Sequence, residues 1–218
     1  ERVRRKIIDF YQTQNFAHIS RALPLPQSEN CQFLFGCETD MDKHGVIGIP
    51  KERFDDFAMI IVPISHLHMS GFTLDETEGD TVEKRAKVLL KRFEQFVHAD
   101  LPFHKVGLAH FTCSLIMLED QQYLKVLDLI PVAEYARLFK ICAEKGCGIE
   151  LNMGLEELKN TAIRDTLLRP YRIAKEQGCK FYLGSDSHHP ADTAQAMERF
   201  QLMVDLLELT EEDKFKIG

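Results

Sequence analysis

MIIVPISHLH, residues 59–68, is an apolar run that passes directly into two histidines. A short run this rich in Ile and Val is typical of a strand buried on both faces of a parallel sheet. Four other segments share the pattern, because each is a predicted strand followed by a side chain that can bind a metal or a ligand. They are residues 32–37 before Glu38, Val106–Ala109 before His110, Gly148–Leu151 before Asn152, and residues 180–185 before Asp186 and His188.

Helical patterns separate these strands. The strongest covers residues 81–99, where apolar side chains recur at the spacing of one helix face. Strand and helix alternation of this kind indicates βαβ units and a parallel sheet. The other predicted helices are residues 3–11, 124–129, 131–144 ending at Gly146, 169–177 and 194–207, and two short strands are predicted at 16–20 and 46–49.

The positions of the polar residues favour a barrel over a doubly wound open sheet. All carboxyl ends of a parallel barrel open on one face, so residues distant in sequence converge there. An open sheet would spread the same residues along an edge. We therefore expect an α/β fold of the TIM-like barrel kind, in one domain over residues 1–218.

Composition excludes two classes of partner. With 27 Lys and Arg against 34 Asp and Glu, the net charge is −7, and no basic stripe is present, so we expect no nucleic acid partner. The longest apolar runs fall far short of the ~20 residues that span a bilayer, so we expect no membrane segment. The six cysteines form no C-x-x-C pair, which predicts reduced thiols in a cytoplasmic protein.

The residues at the strand ends suit a transition metal. Imidazole and carboxylate are ligands of Zn²⁺, Mn²⁺ and Fe²⁺, and a carboxylate such as Glu38 can bridge two ions. Asn152 is predicted to bind substrate through hydrogen bonds. The predicted metal ligands are Glu38, His66, His68, His110, Asp186 and His188.

Simpler interpretations exist for each residue taken alone. A single histidine after a strand is usually a loop residue bonded to backbone, and Asp186 could cap the following helix. Cys113 near His110 could act as a thiol nucleophile, although no helix N-terminus or oriented base accompanies it. The joint occurrence of ligands at the same end of several strands favours the metal site.

Five motifs in a fixed order resemble the polymerase and histidinol phosphatase (PHP) superfamily. The resemblance spans about Val3 to Phe200, and the Gly-Ser-Asp-x-His motif is its most specific part. The motifs are Gly36-Cys37-Glu38, residues 59–68, Leu108-Ala109-His110, residues 148–152 and Gly184-Ser185-Asp186-Ser187-His188.

The resemblance implies a distorted (β/α)₇ barrel that binds two or three divalent ions (Zn, Mn or Fe). It further implies that a metal-activated hydroxide hydrolyses a small-molecule phosphate ester, with Glu38 as the bridging carboxylate. Either His66 or His68 matches the single histidine of one family motif. The residues expected to take part in catalysis are Glu38, His110, Asp186 and His188.

Two motifs of the family are missing from the printed sequence. A His-x-His strand should precede Glu1, and an Asp-His pair should follow the segment that ends near Ile19. Three ions need more donors than the six predicted ligands supply. We therefore expect a His-x-His strand upstream of Glu1 and further residues with Asp-His between Ser20 and Leu25, unless this member has lost part of its site.

Two other functions fit the same pattern. A metal-dependent amidohydrolase also places His and Asp at the strand ends of a barrel. A degenerate barrel could instead bind a partner or regulate a polymerase without turnover. Substrate choice separates the first alternative from a phosphoesterase, and metal content separates the second.

Overall fold

The centre of the fold is a five-stranded parallel sheet. A computed structural model describes residues 15–75 and 77–217. The strands lie in sequence order, and every neighbouring pair is parallel. They are β1 (Gly36–Glu38), β2 (Met59–Pro63), β3 (Val106–Ala109), β4 (Gly148–Leu151) and β5 (Lys180–Leu183).

Helices connect the strands from β2 onward. Short 3₁₀ turns lie between them, as at Lys51–Asp56 before β2 and Ser114–Ile116 after β3. In the described ranges the helices are α1 (Phe16–Ile19), α2 (Val82–His98), α3 (Gln122–Leu129), α4 (Val132–Lys145), α5 (Leu155–Lys159), α6 (Thr161–Glu176) and α7 (Ala196–Leu206).

The two faces of the sheet differ in composition. Register pairs Cys37 with Ile60 and Leu108 with Ile149, and these side chains belong to the buried apolar core shared with the helices. The opposite face is polar or glycine-rich. It carries Glu38, Ile61, Gly107, Gly148, Glu150 and Tyr182.

Helix α2 has a continuous buried stripe that includes Leu89, Phe93 and Phe96. Its N-cap, Thr81, accepts a hydrogen bond from Lys84 N, as expected for a threonine cap. Phe93 lies edge-on to Phe111 and Phe139, at ring-centroid distances of 5.2 and 5.0 Å. Burial of each such ring contributes roughly 1.5–3 kcal/mol, which accounts for the strength of the pattern in the sequence.

Most predicted elements are confirmed. The α/β class, the strands β2 to β5 and the helix predicted at 81–99 are present, and Gly146 ends α4 in the left-handed conformation. The five strands are hydrogen-bonded from β1 to β5, and a closed barrel is not seen among the described residues. The cysteines are free, as predicted. None of the helices described here combines the length and apolar character needed to cross a bilayer.

Three predicted strands differ from the structure. Phe16–Ile19 form a helix that Asn15 caps by accepting a hydrogen bond from His18 N, and Ser20 begins a 3₁₀ turn. Residues 46–49 form only an isolated bridge between Met41 and Ile47. Strand β1 begins at Gly36 instead of residue 32, since the residues before it are mostly exposed. The helix predicted at 3–11 lies outside the described residues.

The chain runs directly from Ser20 to Leu25. Ser20–Ala22 form a 3₁₀ turn, and Leu23 N donates to Ser20 O at 3.0 Å. The printed sequence contains no Asp-His pair between Ser20 and Leu25, so this family motif is unmatched in the chain. A His-x-His strand upstream of Glu1 stays a prediction.

Gly107 of β3 provides the first prediction. A Cβ atom there would lie 2.4 Å from the Tyr182 hydroxyl and 2.6 Å from Met59 Cε, so alanine would force these side chains apart. We expect Gly107→Ala to lower the free energy of unfolding in urea by about 1–3 kcal/mol. Gly154→Ala, where the nearest atom is a flexible Glu157 oxygen at 3.3 Å, is the matched control.

A double variant tests whether contact with Tyr182 causes the loss of stability in Gly107→Ala. The Tyr182 hydroxyl is buried without a hydrogen-bond partner among the described residues, so Tyr182→Phe should cost little by itself. In Gly107→Ala/Tyr182→Phe, part of the lost stability should return. Purely additive losses would mean that the two side chains do not meet over β3.

Candidate metal centre

Three predicted ligands from three strands meet at the carboxyl edge of the sheet. Glu38 ends β1, His66 follows β2 by three residues, and His110 follows β3 directly. One ligand atom of each lies within 4.8 Å of the others. The parallel strands bring these residues together although up to 72 positions separate them in the sequence.

His66 is oriented by its neighbours. Its Nδ1 lies 2.9 Å from Asp40 Oδ1, and the Thr73 hydroxyl donates to its backbone carbonyl. A carboxylate on one imidazole nitrogen fixes the ring and leaves the other nitrogen free to bind a metal. Asp40, two residues after Glu38, therefore supports a predicted ligand.

His110 occupies a constrained position. Its φ of 52° lies in the left-handed region, which a non-glycine residue seldom adopts. Its Nε2 lies 3.5 Å from Glu38 Oε1, and its ring stacks on that of His66 at 5.4 Å with an interplanar angle of 10°. Such strain is retained where the surrounding contacts hold it, as at a functional site.

Glu150 is a site residue that the sequence analysis missed. It lies within β4, only 4% of it is exposed, and its carboxylate accepts from His110 N at 3.1 Å. The same oxygen lies 3.2 Å from His110 Nδ1. Gly184 makes this approach possible, because a Cβ there would lie 2.0 Å from Glu150 Oε1.

The carboxylates around His110 change its protonation. Burial by itself lowers the pKa of His110, but the contact with Glu38 and the negative charge of the neighbouring carboxylates outweigh burial and raise the pKa to about 9. Burial in turn raises the pKa of Glu150, against the attraction of His110. The site is therefore rich in negative charge and suited to hold a cation.

Asp186 and His188 lie beside the three-residue group. Asp186 Oδ2 is 3.9 Å from His110 Nδ1, and His188 Nε2 is 3.5 Å from Asp186 Oδ1. Asp186 has a φ of 50°, the second left-handed residue of the site. The side chain of His188 is 81% exposed, so solvent or a substrate can reach it.

His68 lies apart from the group. Its ring contacts that of His66 edge-on at 5.5 Å, but its nitrogens are outside the cluster formed by Glu38, His66 and His110. Burial and the proximity of His66 lower the pKa of His68, against the opposing effect of Asp40. Of the two histidines that the sequence left open, His66 is the one that lies in the cluster with Glu38 and His110.

Asn152 and Cys113 complete the surroundings. The Asn152 side-chain amide hydrogen-bonds His110 Nδ1, so this residue contacts a predicted ligand. Cys113 Sγ lies 3.5 Å from the Ser65 hydroxyl, and burial raises the pKa of this thiol to about 11. A protonated thiol is a poor nucleophile, which argues against cysteine catalysis.

The donor set fits a transition metal. Ligands about 2.1 Å from a tetrahedral Zn²⁺ lie roughly 3.4 Å from one another. The 3.5 Å between His110 Nε2 and Glu38 Oε1 matches this spacing. Two imidazoles and one carboxylate leave a coordination position open, which is typical of catalytic rather than structural zinc.

Comparison with known proteins adds no family. No family model matches the chain, and no curated protein matches it significantly.

The two histidines of residues 66–68 provide the next prediction. His66→Ala should lower zinc affinity by more than about 100-fold, since loss of an outer-shell partner alone costs about 10- to 100-fold. His68→Ala should keep a zinc affinity close to that of the unaltered protein, because His68 lies outside the ligand cluster. Chelator competition with the metal-free proteins measures both, and the reverse order would assign the ligand to His68.

The buried carboxylate of Glu150 provides a second prediction about zinc affinity. Glu150→Gln keeps the shape of the side chain but removes the charge that faces His110 Nδ1. We expect zinc affinity to fall about 10- to 100-fold. Glu157→Gln, whose carboxylate pairs with Tyr123 and Gly154 N, is the control. Equal affinity in the two variants would contradict an orienting role for Glu150.

Proposed function

We propose that this protein is a metal-dependent phosphoesterase that acts on a small-molecule phosphate ester. The observation that carries the proposal is the convergence of Glu38, His66 and His110 at the carboxyl edge of the sheet. The proposed ions are Zn²⁺, Mn²⁺ or Fe²⁺, because imidazole and carboxylate suit all three. The resemblance to the PHP superfamily supports the choice of a phosphate ester.

A divalent cation bound there would lower the pKa of a water molecule and offset charge at phosphorus. The chain's own residues would hold the cation, orient its ligands and supply a proton. Glu38 and His66 hold the cation, Glu150 orients His110, and the exposed His188 can protonate the leaving oxygen. Asn152 would donate a hydrogen bond that orients the substrate.

Three features support a barrel as the complete fold. Parallel strands lie in sequence order, and crossovers of the usual right hand would place the connecting helices on one face and leave the other to become an interior. Phe215 N donates to Phe181 O and Lys214 bridges Phe181 in parallel, which extends the sheet beyond β5. The third feature is curvature: Met59 and Tyr182 meet over Gly107, although β2 and β5 would lie about 14 Å apart in a flat sheet.

A second candidate follows from the missing Asp-His motif. The chain supplies no such residues between Ser20 and Leu25, so the donors described here suffice for fewer than three ions. A barrel that binds one ion and a partner, without turnover, would need no more. The phosphoesterase is favoured because an open coordination position and an accessible His188 serve catalysis and not structure.

Activity of the metal-loaded protein tests the proposal. Metal-free protein is loaded in turn with Zn²⁺, Mn²⁺ and Fe²⁺ and assayed on p-nitrophenyl phosphate and a panel of phosphate monoesters. We expect His110→Ala and Asp186→Ala to lower kcat/KM by at least about 100-fold, because both alter the metal site. His98→Ala, at an exposed histidine paired with Glu94, should leave it unchanged.

The other outcomes assign other functions. Hydrolysis of cyclic amides without phosphate esters would identify an amidohydrolase. Bound metal without hydrolysis of either class would favour the binding module. Less than one ion per chain after metal loading would count against every metal-dependent hydrolase.

A further inference from the structure

Arg92 is a fully buried arginine whose partners are backbone carbonyls. It lies on the inner side of α2, and only 1% of it is exposed. Its guanidinium donates four hydrogen bonds. They run from Nε to Ile64 O at 2.9 Å, from Nη1 to Asp42 O at 3.1 Å and to Thr73 O at 2.9 Å, and from Nη2 to Met41 O at 2.6 Å.

These carbonyls belong to two loops of the candidate metal centre. One loop carries Asp40, which orients His66, and the other carries His66 itself. Met41 and Asp42 follow Asp40 in the loop after β1. Ile64 and Thr73 stand on either side of His66 in the loop after β2. One side chain therefore joins two loops that are also in contact through Asp40 and His66, through Lys43 and Asp75, and through Lys43 N and Phe72 O.

Two successive hydrogen bonds link Arg92 to His66 through Thr73. Arg92 Nη1 binds the Thr73 carbonyl, and the Thr73 hydroxyl donates to the His66 carbonyl. Arg92 Nη2 binds the carbonyl of Met41, next to Asp40. The guanidinium thus holds both ends of the contact between Asp40 and the imidazole of His66.

We propose that Arg92 is a positioning residue that sets the geometry of the metal centre by fixing these two loops against each other. The proposal rests on the metal centre of the proposed function, since it concerns how His66 is held for a cation. Arg92 touches neither the cation site nor a substrate. It acts through Asp40, Thr73 and the backbone of the loops.

Only arginine supplies this set of bonds. Its planar group has five N–H donors in fixed directions, and four are used here. Burial lowers the pKa of Arg92 to about 10, against the opposing attraction of Asp40 and Asp42, so the group is charged at neutral pH. Lysine would be shorter, with its three donors on one atom, and could not span both loops.

Arg169 is a matched control in the same chain. Its Nη2 also donates to two backbone carbonyls, those of Leu127 and Ile130. Leu127 lies near the end of α3 and Ile130 directly follows this helix, and neither segment carries a predicted ligand. Arg169→Lys therefore removes the same kind of contact without touching the loops of the metal centre.

The experiment compares Arg92→Lys, Arg92→Met and Arg169→Lys by two measurements, zinc affinity from chelator competition and amide hydrogen exchange in the metal-free state. We expect both Arg92 variants to bind zinc at least about tenfold more weakly and to exchange faster at residues 39–43 and 64–75. Arg169→Lys should lose stability in urea but keep zinc affinity and exchange in these loops.

Thr73→Val covers the case in which the Arg92 variants do not fold. It keeps the guanidinium and the core volume but removes the hydroxyl that binds the His66 carbonyl. We expect weaker zinc binding with an unchanged exchange rate at residues 39–43. Unaltered zinc affinity in Thr73→Val and in a folded Arg92 variant would overturn the proposal, as would an equal loss in Arg169→Lys.

The readouts separate this proposal from the proposed function. Zinc binding and amide exchange are measured without an ester. If the protein binds zinc but is inactive, the phosphoesterase proposal fails, and the two measurements still test the positioning role of Arg92. If the unaltered protein binds no zinc, the exchange rates at residues 39–43 and 64–75 decide whether Arg92 fixes the loops. Unchanged exchange in the Arg92 variants would overturn the role of Arg92 whatever the activity.

Discussion

The parallel alignment of five strands in sequence order is the constraint on which the rest of the molecule depends. Because all strands point the same way, each carboxyl end reaches the same edge, and residues from Glu38 to Asp186 come together there although they are far apart in the sequence. The buried apolar side chains of the strands lie on one face, in the core that they share with the helices. The opposite face has small or polar side chains, among them Gly107 and Glu150, and this is the face that ends at the metal centre.

Electrostatics explains why the candidate centre is suited to a cation. Several carboxylates surround His110, and one of them, Glu150, is removed from water beneath it. An isolated buried carboxylate is costly, so it must be neutralised by a proton, a cation or a charged histidine. The raised pKa of His110 reflects neutralisation of the carboxylates by a charged histidine. A bound metal would replace the proton between His110 and Glu38 and offset more than one negative charge at once.

Burial decided which parts of this structure could be predicted from the sequence. Strands β2, β3 and β4 and helix α2 have clear apolar patterns because both strand faces or a full helix stripe are buried. Residues 16–20 have too few buried side chains for such a pattern, and the cap at Asn15 was overlooked. Glu150 and Arg92 were missed although a signal existed: each is a charged residue at a position whose neighbours predict burial, one within a strand and one on the apolar stripe of α2. The choice between His66 and His68 needed the loop conformation, which depends on contacts from distant segments such as Thr73 and Asp40.

Two arginines on helices link the fold to the loops of the candidate site. Arg92 and Arg199 both donate to backbone carbonyls of loops that carry candidate ligands, Arg92 after β1 and β2 and Arg199 at Gly184 and Ser185. Neither forms an ion pair with a carboxylate of the centre among the described contacts. An arginine paired with such a carboxylate would take up the charge that a metal needs. By binding carbonyls, these arginines order the loops while the carboxylates keep their negative charge for the cation.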